Sequence, residues 1–207
     1  MPTLDSLTSP KATSAQRMAS TCFIHLCGLT ELLGDILPLV YEVNPDRIEL
    51  SHSVEQLKER LNGLERRLPE WFPLPGMPGT SNLWFCFLSM RLLLSRVTLR
   101  AAILEGDTGR KDARLDDLRA SSSAVLDFVL SLVEHNFLDF WLPYATHLLV
   151  QAVTVSLRCT VETQDLDIRN ACVQRLERVI AHIQYAREHY EWDVSFPRSS
   201  VVDLDMC

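Results

Sequence analysis

The sequence predicts an all-α protein, an irregular multi-helix bundle of about six helices. Apolar residues recur near the helical period of 3.6 in five separate segments, and no strand-hairpin signal, internal repeat or low-complexity block interrupts them. Only 7 of the 207 residues are Gly, and Leu is frequent throughout. With 47% hydrophobic and 23% charged residues, the composition is typical of a folded globular protein.

We expect one helical domain over residues 14–192, between a flexible tail at residues 1–13 and a C-terminal tail at residues 193–207. The polar N-terminal residues lack the apolar segment of a secretory signal, which indicates a reducing compartment. None of the six cysteines forms a C-x-x-C pair. We therefore predict free thiols, no structural zinc and no other bound metal or cofactor.

The first two helices are predicted from caps and apolar spacing. The first spans about Ser14 to Tyr41. The second begins with a capping box formed by Ser53 and Gln56. Its apolar stripe has a 3-4-3-4 spacing and consists of Val54, Leu57, Leu61, Leu64 and Leu68. This stripe favours an edge helix that packs on its own domain, with a partner surface or a homodimer seam as the alternative.

The third helix is the most apolar long stretch of the chain, Asn82–Leu104, although Arg91, Arg96 and Arg100 lie within it. Insertion of three arginines into a membrane costs roughly 8 kcal/mol, against roughly 6 returned by the apolar residues. We therefore predict a buried helix with Ser81 or Asn82 as its N-cap. The preceding Pro-rich loop should be held on the core by two aromatic residues. The stretch at residues 105–112 should end the helix, with Gly106 and Gly109 as turn residues.

Three further helices are expected. One runs from about Asp112 to His135, and the next covers Tyr144–Thr160 with Pro143 in its first turn. The last is predicted over residues 167–192.

No sequence motif of a known catalytic or nucleotide-binding site is present, so we predict a protein that is not an enzyme. The net charge of −7 and the mixing of Arg with Asp and Glu argue against direct specific binding to DNA by this chain. The alternative is a small helical enzyme or accessory protein of a fungal biosynthetic pathway. That alternative needs a polar cavity, and convergence of Arg91, Tyr144 and His147 on one closed pocket would favour it.

The order of the helical segments resembles the regulatory, or middle homology, domain of fungal binuclear zinc-cluster transcription factors of the cutinase-activator type. The stretches that carry the resemblance are "FIHLCGLTELLGDILPLVY", "LWFCFLSMRLLLSRVTLR" and "FWLPYATHLLVQAVTVSLRCTVET". The family-like positions are Leu94, Arg96, Leu99, Pro143 and Trp192. The six-cysteine zinc cluster, the basic linker and the first half of the usual regulatory domain have no counterpart in the sequence.

This resemblance implies a truncated homologue that regulates transcription through protein partners. It implies location in the nucleus, with the cytoplasm as the alternative. It assigns no small-molecule effector.

Overall fold

The computed structural model describes residues 13–43, 45–72, 77–106, 108–190 and 192. Within these ranges the chain forms seven α-helices and no strand, so the predicted all-α class is confirmed. The helices are α1 (Ser14–Tyr41), α2 (Arg47–Glu65), α3 (Thr80–Glu105), α4 (Thr108–Ser131), α5 (Glu134–Phe137), α6 (Ala145–Glu162) and α7 (Leu166–Tyr190).

The apolar helix α3 lies at the centre of the fold. It packs against α1, α2, α4 and α6, while α7 covers the outer sides of α4 and α6. Its buried residues lie on all sides, as expected of a helix that is apolar nearly all round. Phe85, Met90 and Leu92 each expose 1% of their surface. The prediction that this stretch is a buried core helix is therefore confirmed.

The bounds predicted for α1 are confirmed, and Thr13 caps it in a capping box with Gln16. Thr13, which the sequence analysis places in the N-terminal tail, is thus the N-cap of α1, and residues 1–12 of that tail lie outside the described part. The predicted start of α2 at Ser53 is wrong. The helix begins at Arg47, because the Asp46 carboxylate accepts hydrogen bonds from two main-chain N–H groups of the first turn.

The predicted N-cap of α3 is also wrong, since Gly79 occupies that position. Its φ of 81° is a left-handed conformation that glycine adopts without strain. Ser81 and Asn82 lie buried within the first turn instead. At the other end Gly106, with φ of 74°, ends the helix as predicted, whereas Gly109 lies inside α4.

The fourth predicted helix is two helices, because the chain leaves the α-helical path after Ser131. The side chain of Asn136 accepts a hydrogen bond from the main-chain N–H of Val133 and begins the short helix α5. Phe137 of α5 then packs against Tyr190 and Trp192, with ring centroids 5.5 and 5.0 Å away. The bend therefore places an aromatic residue against the end of α7.

The later helices are close to prediction, with corrections at their ends. The helix α6 begins at Ala145, so Pro143 lies in the preceding turn rather than in the first helical turn. The helix α7 ends at Tyr190 instead of Trp192. The predicted tail at residues 193–207 lies outside the described residues.

The described start of the Pro-rich loop, up to Phe72, packs on the core through aromatic rings, as predicted. Phe72 lies 5.6 Å from Trp84 of α3, centroid to centroid, and Trp71 packs edge-on against Phe72. Trp84 in turn stacks on Phe87. This series of rings connects the loop to the central helix.

Candidate functional site

The apolar stripe of α2 is mostly internal. Val54, Leu57 and Leu61 expose 2%, 5% and 3% of their surface, because this side of α2 faces α3 and α1. These three residues therefore pack within the domain, which agrees with the favoured interpretation of α2 as a helix that packs on its own domain. Leu64 and Leu68 are only partly buried, and Leu64 borders a groove on the surface.

The five family-like residues serve several structural roles and do not form one site. Leu94 is buried in the core and Leu99 packs against it. Arg96 donates a hydrogen bond to the side chain of Gln151 on α6. Pro143 is exposed, whereas Trp192 is 3% exposed and packs edge-on against Trp141 as well as against Phe137.

The three residues of the enzyme hypothesis have separate sets of contacts. Arg91 binds both carboxylate oxygens of Glu65, at 2.9 and 3.1 Å. The Tyr144 hydroxyl lies 3.1 Å from the Thr30 hydroxyl. His147 is exposed, and its Nε2 atom lies 3.2 Å from the Tyr41 hydroxyl. The structure therefore does not bring them together at a closed pocket.

A small polar cluster does lie near the core around Cys86. Its thiol lies 3.5 Å from the side-chain oxygen of Asn82 and 3.9 Å from the Tyr144 hydroxyl. Burial raises the pKa of Cys86 to about 12, although its contact with Tyr144 acts in the opposite direction. Burial also raises the pKa of Tyr144. At neutral pH the Cys86 thiol is protonated, which makes it a poor nucleophile.

A surface groove lies between α1 and α2, with a volume of about 610 Å³. We call it the α1–α2 groove. Ile24 and Cys27 line one side and Leu64 lines the other. Ile24 exposes 59% of its surface, and the neighbouring Phe23 exposes 56%. Two large apolar side chains at adjacent positions are thus left without cover on a helix whose other side is in the core.

Two arginines and one carboxylate, that of Glu31, line the α1–α2 groove next to this apolar surface. Arg60 and Arg67 line it; Arg60 pairs with Asp35 at 2.6 Å, whereas Arg67 donates to the main-chain oxygen of Gly63. Burial and the nearby Arg67 lower the pKa of His25, so this histidine is neutral at pH 7. The cationic groups of the groove are therefore the two arginines.

A second concave site lies among α1, α3, α4 and α6, with a volume of about 340 Å³. We call it the arginine cavity. Its apolar wall includes Val97, Leu118, Val155 and Cys159, all buried, together with the partly buried Val40 and Leu99. Three arginines line the same space: Arg96, Arg100 and Arg158.

The three arginines differ in their partners. Arg158 forms a 2.7 Å ion pair with Glu162, the carboxylate that lines this cavity. Arg100 donates to the main-chain oxygens of Leu39, at 3.3 Å, and of Val43, at 3.0 Å. Among the residues that the structure describes, no carboxylate lies within ion-pair distance of Arg96 or Arg100.

Arg96 is held in place by a polar network on α1 and α6. Its guanidinium donates to Gln151, whose amide nitrogen lies 3.3 Å from the Tyr41 hydroxyl. Burial lowers the pKa of Arg96, and the positive charge of Arg158 acts in the same direction, while Tyr41 opposes it. Among the described residues, Arg96 thus has a neutral hydrogen-bond acceptor in Gln151 and no carboxylate in ion-pair contact.

The arginine cavity and the α1–α2 groove were not predicted from the sequence as sites. The only sequence signals were the arginines within the apolar stretch and the adjacent Phe23 and Ile24 in α1. Neither signal specifies which helices meet around these residues.

The cysteines of the described ranges are unpaired, and Cys27 is the exposed one among them. In the same ranges no group of three or more His, Cys, Asp or Glu side chains is arranged to hold a metal ion. Cys207 lies outside the described residues.

One described helix, α1, is long and apolar enough to cross a membrane by length and composition alone. It lies near the N-terminus, and 28% of its most apolar 18-residue window is buried within the fold. Core helices pass the same test, and α1 contributes Leu26, Leu29, Leu32 and Ile36 to the core.

No family model, curated protein or solved structure matches this chain.

Proposed function

We propose that this chain is a non-enzymatic helical domain of the transcription-regulator type, located in the nucleus, that acts through a protein partner rather than by reading DNA itself. The uncovered apolar surface at the α1–α2 groove is the observation that carries the proposal. The resemblance of the helical segments to fungal zinc-cluster regulators supports the choice of transcription as the process.

The groove suits an amphipathic helix of a partner. A partner helix would bury Ile24 and Phe23 and place its own apolar residues against Cys27 and Leu64. Arg67 has no carboxylate partner among the described residues and would favour an acidic residue at the edge of that helix. Large apolar side chains that become fully buried dominate the affinity of such contacts.

A reporter experiment tests the proposal. The chain is fused to an unrelated DNA-binding module in fungal cells, and transcription is measured from a promoter that carries the module's site. We expect the fusion to change reporter output, and Ile24→Asp to return output to the level of the module alone. The matched control is Ile180→Asp on α7, because Ile180 is 46% exposed and lies away from the groove.

Two results would contradict the proposal. An unchanged reporter with a well-expressed parent fusion would argue against transcriptional regulation. Normal reporter output from Ile24→Asp would show that the groove is not the contact surface. Circular dichroism of both purified variants verifies that the substitutions leave the helices folded.

A further inference from the structure

The arginine cavity combines the two features that small amphipathic ligands require. Its wall is largely apolar, and its volume of about 340 Å³ lies in the range of small-molecule sites. A site of this volume suits a small ligand such as a medium-length acyl chain or a substituted aromatic ring with one polar head.

The charges that line the cavity favour an anion. Three guanidinium groups face one carboxylate, and that carboxylate, Glu162, pairs with Arg158. A half-buried cation such as Arg96 is destabilised unless a negative charge approaches it, because part of its hydration is lost on folding. Gln151 supplies a neutral acceptor but no countercharge.

The geometry around Arg96 also leaves donors for a ligand. A guanidinium has five N–H donors, and the hydrogen bond to Gln151 uses the terminal nitrogen Nη1. Gln151 in turn donates to the Tyr41 hydroxyl at 3.3 Å, so the acceptor of Arg96 is itself hydrogen-bonded. A planar guanidinium with free donors favours a carboxylate, which can accept two parallel hydrogen bonds from it.

We propose that the arginine cavity binds a small amphipathic carboxylate, with its head at Arg96 and its apolar body against Leu99, Leu118 and Val155. The apolar wall favours a monocarboxylate over a phosphorylated or polycarboxylic compound. The site lies about 22 Å along α1 from Ile24, measured from Leu39 at 1.5 Å per residue. It can therefore be tested without reference to the partner proposed for the groove.

The experiment is a calorimetric titration of the purified full chain with octanoate, 4-phenylbutyrate, 1-octanol and octyl phosphate. We expect saturable binding of at least one carboxylate at one site per chain. 1-Octanol should bind roughly ten- to a hundredfold more weakly than octanoate, because it forms no charge-assisted hydrogen bonds.

Two variants locate the site. Arg96→Gln removes the cation and should weaken carboxylate binding roughly ten- to a hundredfold, with little effect on 1-octanol. Ile103→Trp should block both ligands, because Ile103 lines the cavity and is half exposed, so the larger ring can extend into it without replacing a core residue. Arg66→Gln is the control, since Arg66 is an exposed arginine on another face.

The proposal is overturned if neither carboxylate binds saturably, or if Ile103→Trp binds octanoate as the parent does. Equal affinities for octanoate and 1-octanol would show that Arg96 does not contribute to ligand binding, which contradicts the proposal. Tighter binding of octyl phosphate than of octanoate would overturn the assignment to carboxylates. If Arg96→Gln fails to fold, Ile103→Trp and the 1-octanol comparison still decide the outcome.

Discussion

Substitution of Leu93 tests whether α3 is the central core helix of this fold. Leu93 is 2% exposed and belongs to the main core cluster. Leu93→Ala removes three carbon atoms and leaves a cavity, which should lower the free energy of unfolding by about 2–5 kcal/mol. Leu93→Asp adds the burial of a carboxylate without a cationic partner, which costs several kcal/mol more.

The loss of unfolding free energy expected for Leu93→Asp, from the cavity and the buried charge together, approaches or exceeds the total stability of an ordinary domain, about 5–15 kcal/mol. We therefore expect Leu93→Asp to be unfolded or aggregated. Leu93→Ala should unfold cooperatively, with its urea midpoint lowered by about 1–2 M for a denaturant slope of about 2–3 kcal/mol/M. The measurement is urea denaturation followed by circular dichroism at 222 nm.

The control is Leu104→Asp, near the end of the same helix, where the side chain is 42% exposed. It should lower the free energy of unfolding by about 1 kcal/mol or less. A cooperative transition of Leu93→Asp close to that of the parent would refute the central position of α3. Equal losses of unfolding free energy in Leu93→Asp and Leu104→Asp would also refute it.

Four further outcomes are expected. The purified chain should carry well under one zinc per molecule; stoichiometric zinc that is lost on mutation of Cys22 and Cys27 would contradict this. The chain should not bind DNA specifically, so fluorescence anisotropy at about 0.15 M salt that reveals sequence-selective affinity tighter than about 10⁻⁷ M would be evidence of a DNA-reading surface. In native protein at pH 8, iodoacetamide should alkylate the exposed Cys27 well before Cys86, because the Cys86 pKa of about 12 leaves almost no thiolate. Peptide mapping by mass spectrometry measures the order of labelling. Early labelling of Cys86 would disagree with its burial. Finally, we expect the protein in the soluble fraction, and resistance to carbonate extraction of membranes would favour insertion of α1 instead.

The sequence by itself determined the fold class and the positions of most helices. Their apolar periodicity is local information, and so are the breaks at Gly106 and in the Pro-rich loop. The interior position of α3 could be predicted because a helix that is apolar on nearly every side has no stable exposed face in water. The same reasoning explains why the stripe of α2 is internal, which the sequence favoured without excluding a partner surface.

Helix ends depended on contacts that several residues can compete to make. Asp46 and Ser53 are both good N-cap residues by type. The segment between them is helical and buries Leu50 against residues of α3, so Asp46 is the N-cap in the structure. The division between α4 and α5 was missed for a similar reason. The turn at Asn136 is stabilised by the packing of Phe137 on residues more than 50 positions away in the sequence.

Only the tertiary structure decided where charges and uncovered apolar surfaces lie. The sequence contained Arg96 and Arg100 within an apolar stretch and Arg158 in a later helix, but spacing cannot state that all three line one cavity. It likewise could not show that Ile24 lies uncovered beside Arg67, since that depends on how α1 packs on α2. Periodicity specifies which side of a helix is apolar, whereas the packing of different helices determines which charges meet and which apolar side chains remain in water.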